Sequence, residues 1–295
     1  MRVLVLGGTG AIGGAIVRNL IAAGHAVSGL ARSPEAAERL MEIGAEPIAG
    51  DIGNPRLWAG AVVGDLDAVV HAACSFTDAM GPLDSSLLDT LLPALAGTSR
   101  RPSLIYTGGC WLWGPSPDKT IDEETTLDPL PAFAWMVPNL RRVLAEPGIR
   151  GAVVHPAMVH AERTGPLAAM AERVRKGQPV QVVGSPDVMW PLVHADDLAE
   201  LYRLVLEDAA FTGQVIGVAD NGVPVGTLAR LMAGGETAIE LVPEDHAARE
   251  RGDWARGFAR SQRMSGALAR DRFGWTPARC LDPGMPDLDS AAKRS

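Results

Sequence analysis

The sequence predicts a doubly wound α/β sheet followed by a smaller α+β lobe. Three observations carry that prediction. The chain opens with an apolar strand, a glycine turn and an amphipathic helix. Short apolar runs then alternate with helical patterns as far as Pro156, which is how βαβ units and a parallel sheet read in sequence. The length of 295 residues is enough for one large domain or two small ones.

The opening element deserves its place because each residue has a use. Val3 to Leu6 are apolar and favour a strand, and glycine then occupies positions 7, 8, 10 and 13. Beyond them Ile12, Ile16 and Leu20 recur every four residues, with Val17 and Ile21 alongside, as on one face of a helix. Strand, glycine turn and helix together make a dinucleotide fingerprint. Gly7 permits the sharp turn, Gly10 the approach of a diphosphate, and Gly13 close packing of helix on strand. Thr9, Ala11 and Ile12 complete the turn, where backbone amides and the helix dipole favour an anion.

Composition narrows the class. Hydrophobic residues are 47% and charged ones 21%, ordinary for a soluble globular enzyme. A net charge of -8 argues against nucleic acid or an anionic membrane as partner. No apolar stretch is long enough to span a membrane, and the N-terminal apolar run is taken up by the fingerprint rather than by a signal peptide. Cys74, Cys110 and Cys280 are widely spaced, make no metal pattern and suit free thiols in a reducing cytoplasm.

The remaining elements follow in order. Residues 25–31 form the second strand. Where binders of NAD carry an acidic residue about twenty residues past the glycines, this chain has Ala31 followed by Arg32 and Ser33. An uncharged position, a guanidinium and a hydroxyl suit a 2′-phosphate, so NADP is expected over NAD. Residues 35–43 are helical, 46–52 a strand, and Asp51 is placed to cap a helix starting near Pro55. Residues 66–73 form the fourth strand. Residues 84–96 form a helix that buries Leu87, Leu88, Leu91, Leu92 and Leu95. Strands at 103–107 and 150–156 follow. Beyond them come a helix at 165–176, strands at 180–184 and 213–219, and a helix at 225–232. The expected division is a nucleotide-binding domain at 1–156 with 185–220 returning to it, a substrate lobe at 157–184 and 221–281, and a tail at 282–295.

The spacing Gly7-x-x-Gly10-x-x-Gly13, with Gly8-Thr9 inside it, resembles the short-chain dehydrogenase/reductase superfamily. It is closest to the extended, NAD-dependent epimerase/dehydratase-like branch, which implies a Rossmann fold. Further motifs extend the resemblance to about residue 280. Gly50-Asp51-Ile52 is similar to the pair that meets the adenine ring. His71-Ala72-Ala73 is similar to the strand end along the diphosphate and nicotinamide ribose. The run 106–114 resembles the motif in which serines touch the substrate oxygen, with Thr107 on the cofactor side. Pro156 and the continuation 157–160 resemble the loop that approaches the nicotinamide amide. Trp190 to Ala199 is similar to the valine-histidine-x-aspartate-aspartate segment, whose carboxylates cap the following helix, and 273–277 to the family's closing motif. The implied dimer face is made by the helices after strands four and five.

The departures matter as much. The resemblance implies a Tyr-x-x-x-Lys pair on a helix, in which lysine lowers the tyrosine's pKa and tyrosine acts as acid or base. The helix at 132–144 has neither residue. Phe133 or Trp135 stands for the tyrosine, Val137 or Asn139 for the lysine, and Pro138 is expected to disturb the helix. Gly108 and Gly109 replace the serines. The remaining acid or base candidates are His160, Cys110 and Asp78, with His160 first because its ordinary pKa suits neutral pH. Gly109, Trp111, Trp113, Trp135 and Met158 are expected to line a substrate cleft whose flat apolar walls suit a natural-product-like molecule. The expected activity is ketone or enone reduction, or a redox-neutral dehydration, isomerisation or cyclisation. The alternative is a non-catalytic NADP-binding regulator or assembly partner.

Overall fold

A computed structural model describes residues 1–281, and the tail expected at 282–295 lies outside the described residues. The first half runs β1 (Arg2–Leu6), α1 (Ala11–Ala22), β2 (Ala26–Ala31), α2 (Pro34–Glu42), β3 (Glu46–Ala49), α3 (Ala59–Val62), β4 (Ala68–His71) and α4 (Met80–Ala96). Next come β5 (Ser103–Thr107), β6 (Ser116–Ile121), α5 (Met136–Ala145), β7 (Arg150–Pro156), β8 (Met158–His160) and α6 (Pro166–Arg175). The chain continues with β9 (Val180–Val183), β10 (Met189–His194), α7 (Ala195–Glu207), β11 (Gly213–Gly217), β12 (Asp220–Pro224) and α8 (Val225–Ala233). It closes with β13 (Ile239–Val242), α9 (Glu244–Arg251), β14 (Gln262–Met264) and α10 (Ala267–Phe273).

Seven strands form the main sheet in the order β11-β7-β5-β4-β1-β2-β3, the doubly wound α/β arrangement. Neighbours from β3 to β7 are parallel. The order reverses at β1, which has β2 on one side and β4 on the other, so the switch point of the sheet lies at the end of the first strand. Val3, Leu4, Val5 and Leu6 are wholly buried, as are Ala68, Val69 and Val70. Such unbroken apolar runs are what a strand covered on both faces requires.

The chain divides into two compact units. The unit around the sheet comprises 1–108, 135–154 and 198–214. The second comprises 109–134, 155–197 and the chain from Val215 onward. Segment 109–134, expected with the first domain, clusters with the second unit for a local reason. Its β6 pairs with β14, and the buried amide of Gln262 donates to the carbonyls of Cys110 (2.9 Å), Trp113 (2.8 Å) and Gly114 (3.3 Å). The second unit otherwise contains the sheet β12-β10-β8 and the pair β13-β9. Trp275 is buried there, donating to the Asp197 carbonyl at 2.8 Å.

Several local expectations change. Pro138 is the third residue of α5, within the first turn, where its missing N–H has no partner within the helix to lose, so it leaves the helix intact. Asp51 does not cap a helix: its carboxylate accepts from Gly53 N at 2.7 Å in a tight turn, and Asn54 precedes the 3-10 turn at Pro55–Leu57. The start of α7 is tied by His194 Nδ1, which accepts from Asp196 N at 3.1 Å. The buried Asp197 carboxylate instead takes the backbone and guanidinium of Arg279 at 2.8 and 2.9 Å. No helix among the described residues is long and apolar enough to cross a membrane.

Candidate functional site

The glycine turn at the switch point is packed too closely for side chains at two of its positions. Gly7 has φ +84, and a Cβ there would lie 2.7 Å from the Ala72 carbonyl and from Ala73. A Cβ on Gly13 would fall 2.1 Å from the Gly7 carbonyl oxygen. Gly10 precedes α1 and donates to Gly7 O at 2.9 Å, and the first backward bond of the helix is Gly14 N to Gly10 O at 2.8 Å. The amides of Ala11, Ile12 and Gly13 therefore come before the first i→i−4 bond, at the positive end of the helix dipole. Among the described residues no side chain caps this end, which leaves the polarity to the backbone, and Thr9 is exposed beside it.

Ala31 ends β2 and Arg32 follows it, exposed and without an ion pair among the described residues. Ser33 caps α2, its hydroxyl accepting from Ala36 N at 3.2 Å. The same hydroxyl, first among the causes, holds the Glu35 carboxyl below its usual range. Ser33 is thus engaged locally, which leaves Arg32 as the free charge of the pair. Asp51 is exposed and Ile52 half-buried at the turn after β3. Ala72 and Ala73 follow β4 directly, with Ala72 N bonded to Leu6 O at 2.9 Å. Thr107 ends β5 with its hydroxyl 2.7 Å from that of the buried Tyr202.

One group of residues in this unit was not singled out by sequence. Asp84 of α4 is 1% exposed, and its oxygens accept from His71 Nε2 (2.6 Å), Tyr106 OH (2.7 Å) and Asn139 Nδ2 (2.7 Å). Burial alone would raise this carboxyl, but the charge and bonds it receives outweigh that and hold it below its ordinary value. Burial followed by the nearby Asp84 pushes the Tyr106 phenol far up. Of the two registers open in the sequence, Trp135 and Asn139 bracket the first turn of α5, whereas Phe133 lies before it in a 3-10 turn. Asn139 turns inward to Asp84. Trp135 packs on α4, where a Cβ on Gly81 would meet its Cγ at 2.9 Å. Asp78 is exposed in the segment before α4, with no hydrogen bond or ion pair among the described residues.

The other candidates belong to the second unit. His160 ends β8, 6% exposed, with Nε2 buried and unpartnered among the described residues and its ring edge-on to His194 at 5.2 Å. Burial, and then His194, lower its pKa from 6.5 to about 4, so the imidazole is neutral at physiological pH. Burial pushes the Cys110 thiol up to about 12, which keeps it protonated. No hydrogen bond joins His160 to Cys110 among the described residues. Met158 is 7% exposed. Pro156 ends β7, buried. Gly109 has open space where a Cβ would stand, so a serine would fit, and its N–H reaches the buried His155 at 3.4 Å. Trp113 is 1% exposed, donating to Thr125 O at 2.9 Å with its ring against His155 at 4.8 Å; it fills the core of this unit. Trp111 is half-buried and meets Phe133, Trp254 and Phe258 at 5.6, 6.4 and 5.5 Å. Among the described residues no group of three or more His, Cys, Asp or Glu side chains could hold a metal ion.

Comparison with known proteins agrees with the fold. The uncharacterized protein C2A9.02 of Schizosaccharomyces pombe is 29% identical over 99% of both chains. Among solved structures, human epimerase family protein SDR39U1 with NADPH superposes with a TM-score of 0.77 at 22% identity, covering 100% of this chain and 98% of that one. The Thermus thermophilus UDP-glucose 4-epimerase complex with NAD gives 0.77 at 20% identity over 95% of each chain. The family model for NAD dependent epimerases and dehydratases matches residues 3–219. The chain therefore belongs to the NAD dependent epimerase/dehydratase family.

Proposed function

We propose that the protein binds NADP(H) and uses it to reduce a ketone or enone in a hydrophobic, natural-product-type substrate. The observation that carries the dinucleotide is the backbone cradle at the switch point, where Gly7 and Gly13 are too crowded for any side chain and the amides of Ala11 to Gly13 open the helix. The choice of NADP rests on Arg32, which has no ion pair among the described residues and stands beside a neutral Ala31. The structural neighbours hold NAD in one case and NADPH in the other, so the fold accommodates either. When bound, the cofactor supplies the hydride. His160, held neutral by burial, is the acid–base candidate of the second unit. Trp111 and its aromatic neighbours suit an apolar ligand.

A second reading is favoured by α5 and the turn before it, which hold Phe133 or Trp135, and Val137 or Asn139, where the family resemblance implies tyrosine and lysine. There the cofactor would be a scaffold for a dehydration, isomerisation or cyclisation, or a ligand sensed by a regulator or assembly partner. We also propose a cytoplasmic homodimer through α4 and α5, testable by sedimentation. The enzymatic reading is tested by incubating the protein with NADPH and a panel of apolar ketones and enones, following loss of reduced-nicotinamide absorbance. Turnover that falls in His160→Ala supports it. Tight NADPH binding with no oxidation across the panel supports the second reading instead.

A further inference from the structure

This inference rests on the dinucleotide reading and concerns residues to which that reading gives no role. Four elements of the sheet-centred unit send polar side chains to one buried point: His71 from β4, Asp84 from α4, Tyr106 from β5 and Asn139 from α5. The Ser85 hydroxyl donates to Asn139 Oδ1 at 3.3 Å, and the His71 ring stands edge-on to Tyr106 at 5.4 Å. We propose that Asp84 is a positioning residue for the nicotinamide half of the cofactor, fixing the ends of β4 and β5 and the start of α5 around it.

The topology says which half is concerned. In a doubly wound sheet the diphosphate crosses at the switch point, and the two nucleotides lie on opposite sides of it. Here β2 and β3 lie on one side of β1, the side of Arg32, which leaves β4 and β5 for the nicotinamide nucleotide. The two strand donors to Asp84 lie at the ends of β4 and β5, the strands on that side. His71 precedes Ala72 and Ala73, whose backbone crowds Gly7. Tyr106 precedes Thr107. Asn139 lies one helical turn beyond Trp135, which rests on Gly81, itself three residues before Asp84.

Stability alone is a poor explanation for such a cluster. Buried charged groups are commonly matched or exceeded in stability by apolar side chains of similar volume, whereas removing one partner from them is costly. This cluster also leaves His71 Nδ1 buried with no partner among the described residues, a further expense in a region that leucines fill elsewhere. What three bonds to one rigid carboxylate do provide is a fixed relation between four backbone segments.

The test uses the full-length protein, its Asp84→Asn and Tyr106→Phe variants, and two ligands, NADPH and adenosine 2′,5′-bisphosphate. Calorimetry gives each Kd and thermal unfolding reports folding. Each variant that folds is expected to bind NADPH about tenfold more weakly, the scale of one lost charge-assisted hydrogen bond, and to hold the adenosine ligand within about twofold. Equal weakening of both ligands, or no weakening of either, overturns the proposal. If Asp84→Asn does not fold, Tyr106→Phe decides, since it deletes one hydroxyl from an unchanged ring. Wild-type protein that binds neither ligand overturns the dinucleotide reading, and this inference with it.

Discussion

Replacing Gly13 with alanine should harm both folding and dinucleotide binding, while the same change at Gly14 should harm neither. Both glycines lie in α1, so each substitution gains up to about 1 kcal/mol of helix propensity, and the comparison isolates the contact. On Gly14 the new methyl would meet Gly8 O at 3.4 Å, an ordinary contact. On Gly13 it would fall 2.1 Å from Gly7 O and 2.7 Å from Gly7 C. Gly7 cannot yield easily, because it sits at φ +84 against Ala72 and Ala73, and its carbonyl holds Gly10 N at 2.9 Å. Overpacking of this kind costs about 1–3 kcal/mol. Gly13→Ala should therefore melt about 2–12 °C below Gly14→Ala, at roughly 2–4 °C per kcal/mol for a chain of this size. Relief of the clash also moves the Gly7–Gly10 turn, so NADPH should raise the melting temperature of Gly14→Ala and much less that of Gly13→Ala. Equal melting temperatures and equal NADPH shifts in the two variants would refute the close-packing reasoning.

Three other outcomes are expected. Arg32→Ala should weaken NADPH by about tenfold or more, the scale of a charge-assisted phosphate contact, and leave NADH unchanged; comparable losses for both nucleotides would remove the phosphate-reading role. His160 is neutral when folded down to about pH 4, whereas an unfolded histidine takes up a proton below its ordinary 6.5. Stability should thus fall as pH drops from 6.5 towards 4, and denaturant titrations should show a shallower fall in His160→Phe over that window. Alkylation of the native protein at neutral pH, read by mass spectrometry, should spare the buried Cys110 and modify the exposed Cys280. Rapid labelling of Cys110 would show that the thiol is neither buried nor protonated.

The parts of the fold that were legible in sequence are those fixed over short distances. The strand, turn and helix at 1–22 could be read because Gly7 and Gly13 answer local steric demands, and the apolar strands because both faces are covered. Strand β6 could not. Its residues Ser116 to Ile121 are mostly exposed, include Pro117 and Lys119, and pair only with β14, far along the chain. Pro138 misled because the penalty depends on where the helix begins, and helix starts are poorly marked when no side chain caps them. The Asp84 cluster was hidden for a related reason. Its members come from positions 71, 84, 106 and 139, and an aspartate among leucines reads as a solvated face. A signal was present: His71 and Tyr106 stand opposite each other in the register of β4 and β5, two polar residues at paired positions in otherwise apolar strands. Trp113 looked like a cleft wall because nothing local reveals that His155 and Thr125 enclose it.

The most direct test of NADP(H) binding is a titration of the wild-type protein with NADPH and with NADH, following quenching of its seven tryptophans. Submicromolar binding of NADPH with much weaker binding of NADH is the predicted result. Failure of both nucleotides to bind at millimolar concentration would contradict it, and would leave the glycine cradle without a ligand.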